Sequence, residues 1–185
     1  MREVTFMYEM PWSKRKTEMF RAEFFVNSNI LALETSANGL AARETNDCVV
    51  RAFMSALDIP YDQAHAWVKK HMKREDRRGT YTAIYYPNIL SRQKNGRTVK
   101  WYGSTPSYKW MGSGSIKGGT LQNPRYKNKN AGYTLKAFVA DHPEGNFVVI
   151  VEGHAVAVCD GKLYANRNEQ ETGLYRSVHY VFSCN

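Results

Sequence analysis

Apolar residues recur at positions 49, 50, 53, 54 and 57 in the stretch NDCVVRAFMSAL, the three- and four-residue spacing of a helix with one buried face. Asn46 and Asp47 are good helix-starting residues, so the spacing predicts a helix from Asp47 to Leu57. A second helix follows in DIPYDQAHAWVKKHMKRED. Asp58 or Pro60 opens it, Ala64, Trp67, Val68 and Met72 form its apolar stripe, and its charged end runs to Gly79. The last third changes period. GNFVVIVEGHAVAVCDGKLYAN alternates and is rich in valine, predicting strands at 147–152, 154–158 and 162–166, with another near 174–182. Thr134 is placed to cap a short helix, TLKAFVADHP, which Pro143 and Gly145 stop. Residues 2–9 and 21–33 read as strand or mixed segments, and SANG at 36–39 as a turn. Helices first and an antiparallel sheet after is an α+β plan, and 185 residues suit a single domain.

Between residues 91 and 132 neither period persists. The stretch is rich in Gly, Ser, Asn and Lys and carries Trp101, Tyr102, Tyr108, Trp110 and Tyr126, which predicts a long irregular insertion with room for short strands. Charge singles out the same region. From Arg77 to Lys136 there are twelve Lys or Arg and no Asp or Glu, while the remainder has fourteen basic and seventeen acidic residues, so the net charge of +9 arises here. Lys100, Trp101, Tyr108, Lys109, Trp110, Arg125, Tyr126 and Lys127 are therefore candidate binding residues for an anionic partner, either nucleic acid or an acidic protein surface. The competing reading is a solvated basic loop whose aromatics pin it to the domain.

No apolar run reaches the roughly 18–20 residues of a membrane span, and MREVTFMYEMPWSKRK alternates where a signal peptide has an apolar centre. Three widely spaced cysteines make no disulfide framework and no CxxC zinc pattern, and the five histidines make no HExxH. A cytoplasmic chain without metal or cofactor is the expectation. Cys159 and Cys184 read as incidental, Trp67 as core, His179 as structural, and His65 and His71 as solvated on the second helix.

Cys48 opens the first helix. A thiol there faces the positive end of the helix dipole and unpaired N–H groups, which favour thiolate; alone, it reads equally as a small buried hydrophobe. A nucleophile needs a base. His154 follows Gly153 and begins an apolar strand, where a ring nitrogen buried without a partner is costly. The hairpin after it allows two registers. A three-residue loop at 159–161 sets Val158 against Lys162 and His154 against Asn166. A two-residue turn at Asp160–Gly161 sets His154 against Arg167, leaving Asn168 as a diagonal reserve. An asparagine beside the imidazole fixes its tautomer and aims the other nitrogen at the nucleophile. Asp47 opposes thiolate formation if it points at the sulfur and is harmless if it points outward.

The chain order Cys, His, Asn is that of papain-like cysteine hydrolases, and two segments resemble that superfamily, particularly its small bacteriocin-processing and phage-encoded branches. NDCVVRAFMSAL resembles the cysteine helix of ovarian-tumour-type deubiquitinases. YTLKAFVADHPEGNFVVIVEGHAVAVCDGKLYAN resembles the histidine hairpin of phage papain-like proteins. Together they cover about a quarter of the chain. The resemblance implies a papain-like α+β domain over residues 1–185, its N-terminal cysteine helix packed on a C-terminal antiparallel sheet that carries the histidine hairpin.

It implies a cytoplasmic thiol peptidase or isopeptidase (in the host cytoplasm, for a phage protein) acting on a peptide or protein through an acyl-enzyme. Cys48 is then the nucleophile, His154 the general base and acid, and Asn166, or Asn168, the orienting residue, where family members often carry Asp. The family's upstream glutamine has no counterpart, since position 42 is Ala42. The oxyanion donors are then the Cys48 backbone N–H with Asn46 or a nearby amide. Two other functions stay open: acyl transfer to an amine, as in transglutaminases, and a binding protein on the same scaffold that uses the basic aromatic segment.

Overall fold

The protein is described here by a computed structural model that covers residues 24–104, 133–166 and 173–185. Its elements are strand β1 (Phe25–Asn27), helices α1 (Ser28–Thr35), α2 (Leu40–Arg43), α3 (Cys48–Leu57), α4 (Tyr61–Met72) and α5 (Thr82–Tyr85), and strands β2 (Gln93–Lys94) and β3 (Arg97–Ser104). Helix α6 (Leu135–Asp141) and strands β4 (Asn146–Val151), β5 (His154–Cys159), β6 (Lys162–Ala165) and β7 (Val178–Cys184) follow. Among the described residues the strands form one seven-stranded sheet in the order β1-β6-β5-β4-β7-β3-β2. All its pairs are antiparallel except β1 with β6. The α+β class holds, with a mixed sheet.

Strand alternation divides the interior in two. Val148, Ile150, Ala155, Ala157, Tyr180 and Phe182 face α3 and α4, while Phe147, Val149, Val151, Val156, Val158 and Val181 face α6. The small side chains of Ala155 and Ala157 let α3 lie close against β5, and both are buried. Helix α3 is amphipathic as its spacing predicts, with Val49, Val50, Phe53, Met54 and Leu57 buried. It stops at Asp58, which turns left-handed (φ 54°) and returns its N–H to Met54 and Ser55. The β2–β3 hairpin supplies the donors that its last carbonyls lack. Asn95 Nδ2 donates to Leu57 O at 3.1 Å and Asp58 O at 2.8 Å, and Arg97 Nη1 donates to Ala56 O at 2.7 Å. Held at this end, α3 presents its first residue, Cys48, at a fixed height on the sheet.

Several expectations change. The second helix ends at Met72, well before Gly79, because Lys73 turns left-handed (φ 50°) and sends Arg74 inward. Within 21–33, the described part is a three-residue strand and then α1, whose start Asn27 caps by accepting from Asn29 N and Ile30 N. The insertion contributes β2 and β3, with the rest beyond Ser104 outside the described residues up to Tyr133. The last strand begins at Val178 and reaches Cys184. Thr134 does cap its helix, accepting from Ala137 N. No described helix is long and apolar enough to cross a membrane.

Candidate active site

A cleft of about 520 Å³ opens where the start of α3 meets the start of β5. Asn46, Cys48, Val49 and Arg51 line it from the helix side, Gly153, His154 and Ala155 from the strand, His179 and Tyr180 from β7, and Gly79, Thr80 and Thr82 from the segment after α4. Cys48 and His154, distant in sequence, thus share one cavity. The backbone N–H groups of Ala155, the residue after His154, and of Val49 both act to favour the Cys48 thiolate. Gly153 makes this approach possible, since the turn from β4 into β5 requires its positive φ of 65°.

Both groups are electrically neutral near pH 7. Burial pushes the Cys48 thiol above its ordinary range, and the Ala155 N–H and the Arg51 charge offset this only in part. Burial also pushes His154 down to about 4, with Arg51 and Arg176 acting in the same direction. The expected bias of the helix start toward thiolate is therefore outweighed by desolvation. The two groups therefore rest as thiol and imidazole. Cys159 and Cys184 are both buried, and that burial pushes each to about 12. Among the three cysteines, Cys48 alone lines the cleft.

Asp47 does not point outward. It is only 7 % exposed and makes no side-chain cap to α3. Its Oδ1 takes Arg51 Nη2 at 2.9 Å, and its Oδ2 accepts the Tyr61 hydroxyl at 2.7 Å. Its charge opposes Cys48 ionisation, and the Arg51 charge, acting more strongly, favours it. Asn46 also lines the cleft, with a left-handed φ of 53° and its Nδ2 directed to Arg77 O at 3.4 Å. That contact is long and engages one of the amide's two N–H groups.

The wall opposite is tied down by a buried ionic clamp. Arg74 Nη2 donates to Glu44 Oε2 at 2.7 Å and to Thr45 O at 3.1 Å, and Arg74 Nη1 lies 3.1 Å from His65 Nε2. Glu44 Oε2 also accepts Arg77 N at 2.8 Å. Burial alone would raise the Glu44 carboxyl, but these donors hold it below its ordinary range. The clamp joins residues 44–46 to 74–77 on either side of the cleft. His65 is part of it and 5 % exposed, contrary to a solvated role. Glu44, His65 and Asp76 lie close enough to hold a cation, but Arg74 already places its guanidinium against Glu44 and His65. His71 packs its ring on Trp67 at 5.1 Å, and Trp67 is core.

The hairpin adopts the second of the two registers. Cys159 pairs with Lys162, Val158 with Leu163 and Ala157 with Tyr164. Asp160 (φ 47°) and Gly161 (φ 74°) make the two-residue turn, whose left-handed residues match the twist of the strands. Carried forward, this register sets Asn166 across from Ala155, one step out from His154. The paired ladder ends at Ala157–Tyr164, however, so Asn166, half-buried after β6, is not constrained by it. Asn168 lies outside the described residues.

Of the basic segment's candidates, Lys100 is exposed on β3. Trp101 is half-buried on β3 and packs against the sheet. Its ring stacks on Tyr180 at 5.8 Å and meets Phe182 edge-on at 5.7 Å. Tyr108, Lys109, Trp110, Arg125, Tyr126 and Lys127 lie outside the described residues. The cleft also takes Arg51, Thr80 and Tyr180, which the sequence reading does not single out, and His179, which it reads as structural. Arg51 was detectable, since it follows Cys48 by three residues and must share its helix face. His179 resembled any histidine in an apolar strand. Compared with known protein families, curated proteins and solved structures, the chain matches none.

Proposed function

We propose that the protein is a cysteine hydrolase of papain-like arrangement, cutting a peptide or isopeptide bond through an acyl-enzyme without a metal or cofactor. The observation that carries this reading is that Cys48 and His154, far apart in the chain, line one cleft at the starts of α3 and β5. A helix-start thiol and a strand-start imidazole at one cavity are the two parts that acyl transfer needs.

In the proposed reaction, neutral His154 takes the thiol proton as the Cys48 sulfur attacks the acyl carbon. The oxyanion that forms lies at the α3 N-terminus, within reach of the Cys48 N–H and the Asn46 amide. His154 then gives its proton to the leaving amine, and water, deprotonated by His154, releases the acyl group. Asn166 is the proposed orienting residue, reached where the chain leaves β6. Transfer to an amine in place of water uses the same intermediate. A peptide or protein substrate in the cytoplasm, with host cytoplasm for a phage-encoded chain, completes the proposal.

p-Nitrophenyl acetate tests it. A burst of p-nitrophenolate, with one acetyl group on the Cys48 peptide by mass spectrometry, is expected for the native protein and not for Cys48→Ala or His154→Ala. If no acetyl group appears on Cys48, the hydrolase reading is wrong, and the basic segment that includes Lys100 becomes the place to seek a partner, by salt-dependent binding.

A further inference from the structure

Among the described residues, Arg51 lines the cleft and no carboxylate does. Arg51 lies one helical turn after Cys48 on the same face of α3, a spacing that sets their Cβ atoms roughly 5–6 Å apart. Asp47, its ion-pair partner, bonds Tyr61, and among the described residues neither Asp nor Glu lines the cavity. Arg51 uses Nη2 on Asp47, and its Nε is buried with no hydrogen-bond partner among the described residues. The fork is thus only partly engaged. At both Cys48 and His154 the Arg51 charge acts more strongly than the Asp47 charge, so the pair leaves a positive field where an acyl group would sit. Thr80 Oγ1, on the facing wall, is another buried polar atom with no partner among the described residues.

We infer that Arg51 reads a carboxylate beside the acyl carbon, so that the substrates are peptide or isopeptide bonds flanked on the acyl side by Asp, Glu or a free carboxylate. The inference rests on the hydrolase reading and specifies its substrate class. A guanidinium suits this role because its planar donors match a carboxylate edge, as an ammonium does not. The bland alternative is that Arg51 only neutralises Asp47.

Iodoacetate and iodoacetamide separate the two, because they alkylate a thiolate by the same displacement and differ only in charge. The sulfur–carbon bond forms, the carbon–iodine bond breaks, iodide leaves with the bonding pair, and the thiol proton passes through His154 to buffer. At pH 8 and low salt His154 is neutral and adds no attraction. The ratio of iodoacetate to iodoacetamide rates at Cys48 is measured against the same ratio for N-acetylcysteine. We expect the protein's ratio to exceed the free thiol's by at least about fivefold, to shrink with added salt, to fall to the free-thiol value in Arg51→Gln, and to survive in part in Arg51→Lys.

A wild-type ratio at or below that of the free thiol overturns the inference. So does a raised ratio that persists in Arg51→Gln, which would assign the field to another cation such as Arg176. If Arg51→Gln fails to fold with Asp47 left buried, the double variant Asp47→Asn/Arg51→Gln replaces it. Acetylation by p-nitrophenyl acetate that depends on His154, without any anionic preference, removes this inference and leaves the hydrolase reading standing. Absence of that acetylation removes both.

Discussion

Cys48, the first residue of α3, and His154, the first residue of β5, line one cleft where the helix start meets the strand start. Everything proposed for the cleft depends on that approach. Ala155 is 4 % exposed and packs in the core shared with α3. A larger side chain has no room there without lifting the helix. Ala155→Val is expected to cost about 1–3 kcal/mol of stability and to lower the acetylation rate of Cys48 more than tenfold. Urea unfolding and the burst rate report these separately.

The Asp47 carboxylate is buried on two donors, Arg51 and Tyr61. Removing only the Tyr61 hydroxyl keeps the ring's packing and leaves a buried charge short of one partner. Tyr61→Phe should therefore lose about 1.5–3 kcal/mol, measured by urea unfolding at pH 7. A loss below half a kcal/mol, which is what a solvated hydroxyl gives, would contradict this placement.

Arg74 has a fully buried side chain, and Glu44 beside it is almost as deeply buried. Arg74→Ala strands that carboxylate, with an expected loss of about 3–5 kcal/mol. The melting temperature of the wild-type protein should not move with added zinc or with chelator, because the guanidinium stands where a cation would bind. A zinc-dependent rise in melting temperature would mean that Glu44, His65 and Asp76 act as ligands.

His154 titrates near 4 in the fold and near 6.5 once unfolded. As pH falls, the unfolded chain takes up its proton first. The stability from this group is therefore complete above about pH 6.5 and is lost as pH falls toward 4, by about 1–3 kcal/mol after allowance for partial exposure. His65, His142 and His179 are lowered too, each chiefly by burial, and act in the same direction. The urea midpoint should drop between pH 7 and pH 5 and drop less in His154→Gln.

Much of this arrangement was legible in the sequence because two periods carry it. The helical spacing from 49 to 57 located α3, and the valine alternation located β4 to β6 to within a residue or so at each end. Cys48 and His154 were found through their places at element starts. The rest depends on contacts that spacing does not encode. Lys73 turning left-handed shortens α4, and nothing in KKHMKRED distinguishes that from a longer helix. Whether Asp47 caps the helix or turns inward depends on Tyr61, fourteen residues away. The loop length between Cys159 and Lys162 was ambiguous by one residue, enough to change what faces His154. The balance at Cys48 also escaped, because a helix start argues for thiolate and only the folded surroundings reveal how much water the sulfur loses.

The central claim is that Cys48 and His154 form a neutral nucleophile–base pair, and the pH profile of Cys48 acetylation by p-nitrophenyl acetate between pH 5 and 8 tests it most directly. With His154 already neutral and the thiol still protonated across this range, the wild-type rate should be nearly flat. In His154→Ala only free thiolate can react, so the rate should be far lower and rise about tenfold per pH unit. Wild type and His154→Ala sharing one thiolate-limited profile would contradict the pair and leave Cys48 an ordinary half-buried thiol.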